Sequence, residues 1–157
     1  KSFNIPALTG AWGLFGDKAS RNGYLDALKN ANGLSSPAVL AVAAHVAAYR
    51  EGAPWLEALR SYLRANLAYL ATALNDAFPQ LRWQPPESTY LAWINLRPLN
   101  IDDDTLQKTL IEQQQVAIMR GDLYGPQGRG FIRLNVGCPR VKLEEGVKRL
   151  IAALRSC

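Results

Sequence analysis

Gly130-Phe131-Ile132-Arg133-Leu134-Asn135-Val136-Gly137-Cys138-Pro139-Arg140 is the stretch that decides the fold of this chain. Phe131, Arg133 and Asn135 alternate with Ile132, Leu134 and Val136. A period of two predicts a strand over 131–136 with one apolar face. Gly137-Cys138-Pro139 stops it, and the amphipathic pattern over 142–155 predicts a closing helix. Arg133 is out of place in such a strand, because an arginine among apolar residues needs an anion partner or a water-filled cleft. Two readings stay open. One is a structural salt bridge to a carboxylate of the protein. The other is a bidentate grip on the carboxylate of a small molecule, which a planar guanidinium suits better than an ammonium does.

Upstream of this strand, Gly121–Gly130 holds four glycines and a proline and reads as a loop. Val116–Met119 reads as a short strand. Asp102-Asp103-Asp104 heads a helix to about Gln115, with its acids in the first turn where the helix dipole favours them. A calcium loop is excluded there for want of the Gly and Glu spacing. Tyr90–Leu96 and Leu81–Gln84 read as strands. Alternation of strands and helices makes this part α/β.

Further upstream the pattern is helical. Leu59, Leu63, Leu67, Leu70 and Leu74 recur at three- and four-residue steps, so a long helix runs from Pro54 to about Phe78, where Pro79 breaks it. Ser36-Pro37 predicts the start of a helix over 38–50, apolar on nearly every side and therefore expected to be buried among others. Its histidine, His45, is the only one in the chain and is read as a packed or surface residue. Ser20 is expected to cap a helix over 21–30, and Gly10–Phe15 reads as a short buried strand. The change near Gly52-Pro54 is the expected domain boundary, giving 1–52 and 53–157.

The chain carries a formal net charge of +5 over 157 residues, with 48% hydrophobic and 20% charged residues. This is ordinary globular composition. The basic residues are scattered and do not interleave with aromatics, so no nucleic-acid partner is expected. No apolar run reaches the length of a membrane span, and the opening residues do not read as a signal peptide, since the first is charged and no apolar stretch with a cleavage site follows. Cys138 and Cys157 form no disulfide framework and no metal-ligand spacing; two reduced thiols and a cytoplasmic location are expected. No metal site is expected.

The chain opens Lys1-Ser2-Phe3-Asn4-Ile5-Pro6-Ala7-Leu8-Thr9-Gly10-Ala11, with no initiator Met. Lys1 is either a solvated terminal lysine or an amine whose proton comes off near neutral pH and which condenses with an aldehyde. Together with the Gly130–Arg140 string, this opening resembles fold-type I enzymes that use pyridoxal phosphate (PLP), in the class I/II aminotransferase superfamily. More narrowly it is similar to the MalY/PatB-type cystathionine β-lyases. Gly33-Leu34-Ser35-Ser36-Pro37, Ser88-Thr89-Tyr90-Leu91-Ala92-Trp93 and Tyr124-Gly125 extend the resemblance along the whole chain, in order.

The resemblance implies an α/β fold: the tail of a large PLP-binding domain in 1–52, then a long connecting helix and a small C-terminal domain in 53–157. It implies that Lys1 is the Schiff-base lysine, both cofactor-binding and catalytic, and that Arg133 binds the substrate α-carboxylate. Their separation, 133 − 1 = 132 positions, is similar to that in the wider superfamily. Tyr90 and Trp93 match a strand near the substrate entrance, where packing is expected; Tyr124 and Gly125 match the loop before the arginine strand. Arg120 stands where the family more often has Pro. Thr9 stands where many aminotransferases carry an Arg for the cofactor phosphate, which favours the lyase branch. The implied reaction is β-elimination from cystathionine or a cysteine S-conjugate, giving a thiol, pyruvate and ammonia. Transamination on the same scaffold is the alternative. A homodimer is implied, as is a possible regulatory contact with a maltose-system transcription activator. If Lys1 is the cofactor lysine, the chain is the back half of an enzyme and is inactive alone.

Overall fold

The structure is a computed structural model that describes residues 2–34 and 36–157. Its contacts divide it into two compact units, Lys1–Leu59 and Arg60–Cys157.

In the first unit, α1 spans Lys18–Asp26 and continues through a wider π-helical turn to Ala31. Asp17, not Ser20, is its cap: the Asp17 carboxylate accepts from the Ser20 amide at 2.8 Å and the Ser20 hydroxyl at 2.7 Å. Residues 10–15 form no strand, and Trp12 and Leu14 are 74% and 88% exposed. Helix α2 spans Val39–Glu51; its N-terminal residue is preceded by Ala38, with no side-chain cap from Ser36. The expectation that α2 is buried fails, because Ala41 is its only buried residue.

Gly52 separates α2 from α3 (Ala53–Ala77). A Cβ on Gly52 would lie 2.4 Å from the Ala48 carbonyl oxygen and 2.6 Å from the Phe3 ring. The bare backbone there admits Phe3, which stacks on Trp55 and meets Tyr49 edge-on, with centroids 6.3 and 5.3 Å away.

The second unit holds the core. Leu67, Leu70 and Leu74 of α3 pack into it at helical spacing. A short 3-10 turn, Pro79–Leu81, follows, and Arg82 then adopts a left-handed conformation at φ 44°. The strand expected over 81–84 is therefore absent. The Trp83 backbone bonds instead to the Asn75 side chain, in both directions at 2.9 Å.

Strands β1 (Leu91–Asn95), β2 (Met119–Arg120) and β3 (Phe131–Asn135) form an antiparallel sheet in the order β1-β3-β2. Leu91 to Asn95 pair with Asn135 to Phe131, and Met119 and Arg120 pair with Arg133 and Ile132. Ala92, Ile94 and Ile132 face the core, leaving Trp93, Arg133 and Met119 on the other face. Helix α4 spans Asp103–Lys108 and extends through a π-helical turn to Gln113. Helix α5, Arg140–Ser156, closes the core through Leu143, Val147, Leu150, Ala153 and Leu154. Asn66 pins α3 to the end of β3: buried, it donates to the Val136 and Cys138 carbonyls at 2.9 and 3.1 Å.

Candidate functional site

The open face of the small sheet carries a chain of rings and guanidinium groups. Arg133 stands at the centre of β3, beside Trp93 on one neighbour and Met119 on the other. Its guanidinium carbon lies 4.7 Å from the centre of the Tyr124 ring. Its terminal nitrogen donates to Met119 Sδ at 2.8 Å, and the Tyr124 hydroxyl donates to the same sulfur at 3.2 Å. Trp93 meets Tyr124 edge-on at 5.7 Å and stacks on Phe131 at 5.6 Å. Arg97 lies over the Phe131 ring, its guanidinium carbon 4.7 Å from the centre.

These partners decide what Arg133 can do. Among the described residues no carboxylate pairs with it, so the structural salt bridge left open by the sequence is not what holds it. A ring face and a thioether orient a guanidinium without neutralising it, since both are weak acceptors. Most of its five donors are thus left for an anion, and its planar fork suits a carboxylate. That donor set fits the substrate end of a site for an amino acid.

Arg120 is the opposite case. It sits one residue after Met119 with its side chain on the other face of the sheet, and Asp122 and Asp104 neutralise it. Nε donates to Asp122 Oδ1 at 3.1 Å and Nη2 to Asp122 Oδ2 at 2.6 Å, while Nη1 pairs with Asp104. The Arg120 hydrogen bond holds the Asp122 carboxyl below its usual range.

The loop between them is a pair of 3-10 turns, Gly121–Tyr124 and Pro126–Gly128. They meet glycine to glycine. A Cβ on Gly121 would fall 2.3 Å from the Gly128 carbonyl oxygen, and one on Gly128 would fall 2.0 Å from that of Gly121. Only two bare backbones approach this closely.

Lys1 lies outside the described residues, as does Ser35. Tyr90 serves the backbone, its carbonyl accepting from the Val136 amide at 2.9 Å to extend the β1–β3 ladder. Thr9 is exposed. His45 donates from Nδ1 to the Ala41 carbonyl at 2.6 Å, one helical turn back. Among the described residues no cluster of His, Cys, Asp and Glu could hold a metal ion, and no helix is long and apolar enough to cross a membrane.

Over 156 residues the chain is 65% identical to Protein MalY of Escherichia coli strain K12, covering 99% of this chain and 40% of that protein. It is 34% identical to cystathionine beta-lyase PatB of Bacillus subtilis strain 168, covering 98% and 40%. It superposes on the crystal structure of a PLP-bound C–S lyase from Staphylococcus hominis, complexed with the inhibitor L-cycloserine, with a TM-score of 0.82. The identity there is 29%, over 98% of this chain and 37% of that one. The chain spans about two fifths of the length of the curated relatives it matches. The family model for class I and II aminotransferases matches residues 1–150, and the chain belongs to that family.

Proposed function

We propose that the protein carrying this chain is a PLP-dependent carbon–sulfur β-lyase. With water as co-reactant, it cleaves cystathionine or a related cysteine S-conjugate to a thiol, pyruvate and ammonia. The observation that carries the reading is Arg133, an arginine on a sheet face held by a ring and a sulfur, with no carboxylate paired to it among the described residues. The likeness to a cystathionine beta-lyase and to a C–S lyase supports this branch of the family. So does Thr9, which stands where many aminotransferases carry a phosphate-binding arginine.

On this reading residues 1–52 end a large cofactor-binding domain, and 53–157 are the connecting helix and the small domain. Lys1 holds the cofactor through Nζ. Displaced by the substrate amine, the same nitrogen takes the proton from the substrate Cα as general base. Bound PLP supplies the electron sink for the pair left behind. Arg133 receives the α-carboxylate on two N–H donors, which fixes the substrate's rotation about Cα. The protein works as a homodimer on small amino-acid substrates, and its two free thiols suit a cytoplasmic location.

The test is pyruvate release from L-cystathionine by the full-length protein with PLP. Lys1→Ala should abolish it. Retained β-elimination in that variant would refute the role of Lys1, and a keto acid formed from the amino donor without pyruvate would move the reaction to transamination.

A further inference from the structure

Arg133 cannot aim itself, since a guanidinium on a long flexible stem loses its preference for one anion geometry unless its neighbours hold it. Its two neighbours, Met119 and Tyr124, flank one short segment: Met119 precedes Arg120, and Tyr124 ends the turn Gly121–Tyr124. Arg120 and Asp122 lie inside that segment and grip each other through two hydrogen bonds. The grip spans one residue, Gly121, and so fixes the angle at which the turn leaves β2.

The same arginine is tied to the core. Its third contact is Asp104, in the first turn of α4, and α4 is anchored through buried Leu106. The next acid back, Asp103, accepts from the Gly130 amide at 3.0 Å, just before β3 begins. Helix α4 thus holds both ends of the loop 121–130: its start through Arg120 and its finish through Gly130. A half-buried bidentate pair joined to a helix start is more than a lone surface ion pair, whose worth is small.

We propose that Arg120 is a positioning residue for carboxylate recognition. Clamped between Asp122 and Asp104, it holds Met119 and Tyr124 where they orient the Arg133 guanidinium. The inference rests on the reading of Arg133 as the carboxylate anchor. It assigns Arg120 no contact with substrate. Breaking the clamp lets the turn and Tyr124 shift, and a displacement of about 1 Å in a positioning group is enough to change affinity or rate by a large factor.

The experiment uses two ligands that differ by a carboxylate, α-aminoisobutyrate and isopropylamine. Their dissociation constants are measured by calorimetry on the full-length PLP-bound protein and on its Arg120→Gln, Asp122→Asn, Arg120→Gln/Asp122→Asn and Arg133→Ala variants. Arg133→Ala should cut the preference for the carboxylate ligand by about 100-fold, as expected for loss of a bidentate charge-assisted pair. Arg120→Gln and Asp122→Asn should each cut it by about tenfold, with isopropylamine binding unchanged. The double variant should cost no more than Arg120→Gln alone, because removing the guanidinium already breaks its contact with Asp122. Asp122→Asn changes a single atom and keeps the test open should Arg120→Gln fail to fold. A preference unchanged in Asp122→Asn, alongside a large loss in Arg133→Ala, would overturn the role of Arg120 while leaving Arg133 standing. No loss in Arg133→Ala would sink the carboxylate anchor itself.

Discussion

Residues 2–59 and residues 60–157 are made of similar material and come to opposite ends. Both contain helices rich in Ala and Leu. Yet among the described residues every buried apolar side chain except Ala41 belongs to the second unit. In the first, Trp12, Leu14, Val39 and Leu40 are all more than two-thirds exposed. Helical pattern and buried core are separate properties. The second unit has a sheet against which three helices can turn an apolar stripe, whereas the all-round apolar α2 has no stripe to choose. An exposed apolar surface of this extent marks a face made to be covered, which agrees with relatives about two and a half times as long.

The sharpest way to break the comparison is to delete apolar bulk from both units. Leu70 of α3 is fully buried. Leu70→Ala should lower the unfolding free energy of the 157-residue chain by about 2–5 kcal/mol, the usual range for a buried leucine. Val46→Ala on half-exposed α2 should stay within about 0.5 kcal/mol. Urea titration of both variants reads the difference. Equal losses would mean that the first unit has a core of its own after all.

A smaller effect tests how the second unit is stitched. Asn66 is fully buried and holds two carbonyls at the end of β3, with its own Oδ1 lacking a partner among the described residues. Asn66→Ala leaves the Val136 carbonyl without its side-chain donor and takes one of two donors from the Cys138 carbonyl, and should cost about 1–3 kcal/mol. Hydrogen exchange should show the loss at α3 and β3 together. A change confined to α3 would mean that the two elements are not coupled through this side chain.

The sequence announced the long helix, β1, β3 and α5, because each has one apolar face and a clean period. It announced Arg133 as an oddity and its open face by alternation. It misjudged a segment whose large apolar residues stay exposed, as Trp12 and Leu14 do. It also misjudged a segment whose backbone bonds are taken by a side chain, as Trp83 is by Asn75. Nor did it reveal that Asp102, Asp103 and Asp104 do three different jobs. The run reads as a helix start, and only the fold brings Gly130 and Arg120 within reach of the second and third acids. The Arg120–Asp122 proximity could have been found, since two residues of opposite charge bracket one glycine.

The smallest expected effect is the most even-handed comparison, because each unit carries the same device. Asp17 caps α1 by accepting from the Ser20 amide and hydroxyl; Asp102 caps α4 by accepting from those of Thr105, at 2.9 and 3.0 Å. Bonds from the Ser20 and Thr105 amides, first of all, hold both carboxyls below the usual value of 3.8. A carboxyl with a lowered folded value contributes stability that is present above 3.8 and is lost as pH falls through the lowered value. Both caps should therefore fail below pH 3.8, and they differ in what fails with them. Helix α1 buries no residue, so Asp17→Ala should free its amides to exchange at neutral pH and leave global unfolding unchanged. Helix α4 is anchored by Leu106, so Asp102→Ala should instead lower global stability slightly, by an amount that vanishes once the wild-type carboxyl is protonated. Exchange rates followed from pH 6 to pH 3 separate the two. If α1 stays protected without Asp17, tertiary support reaches the first unit from contacts that its exposed surface does not reveal.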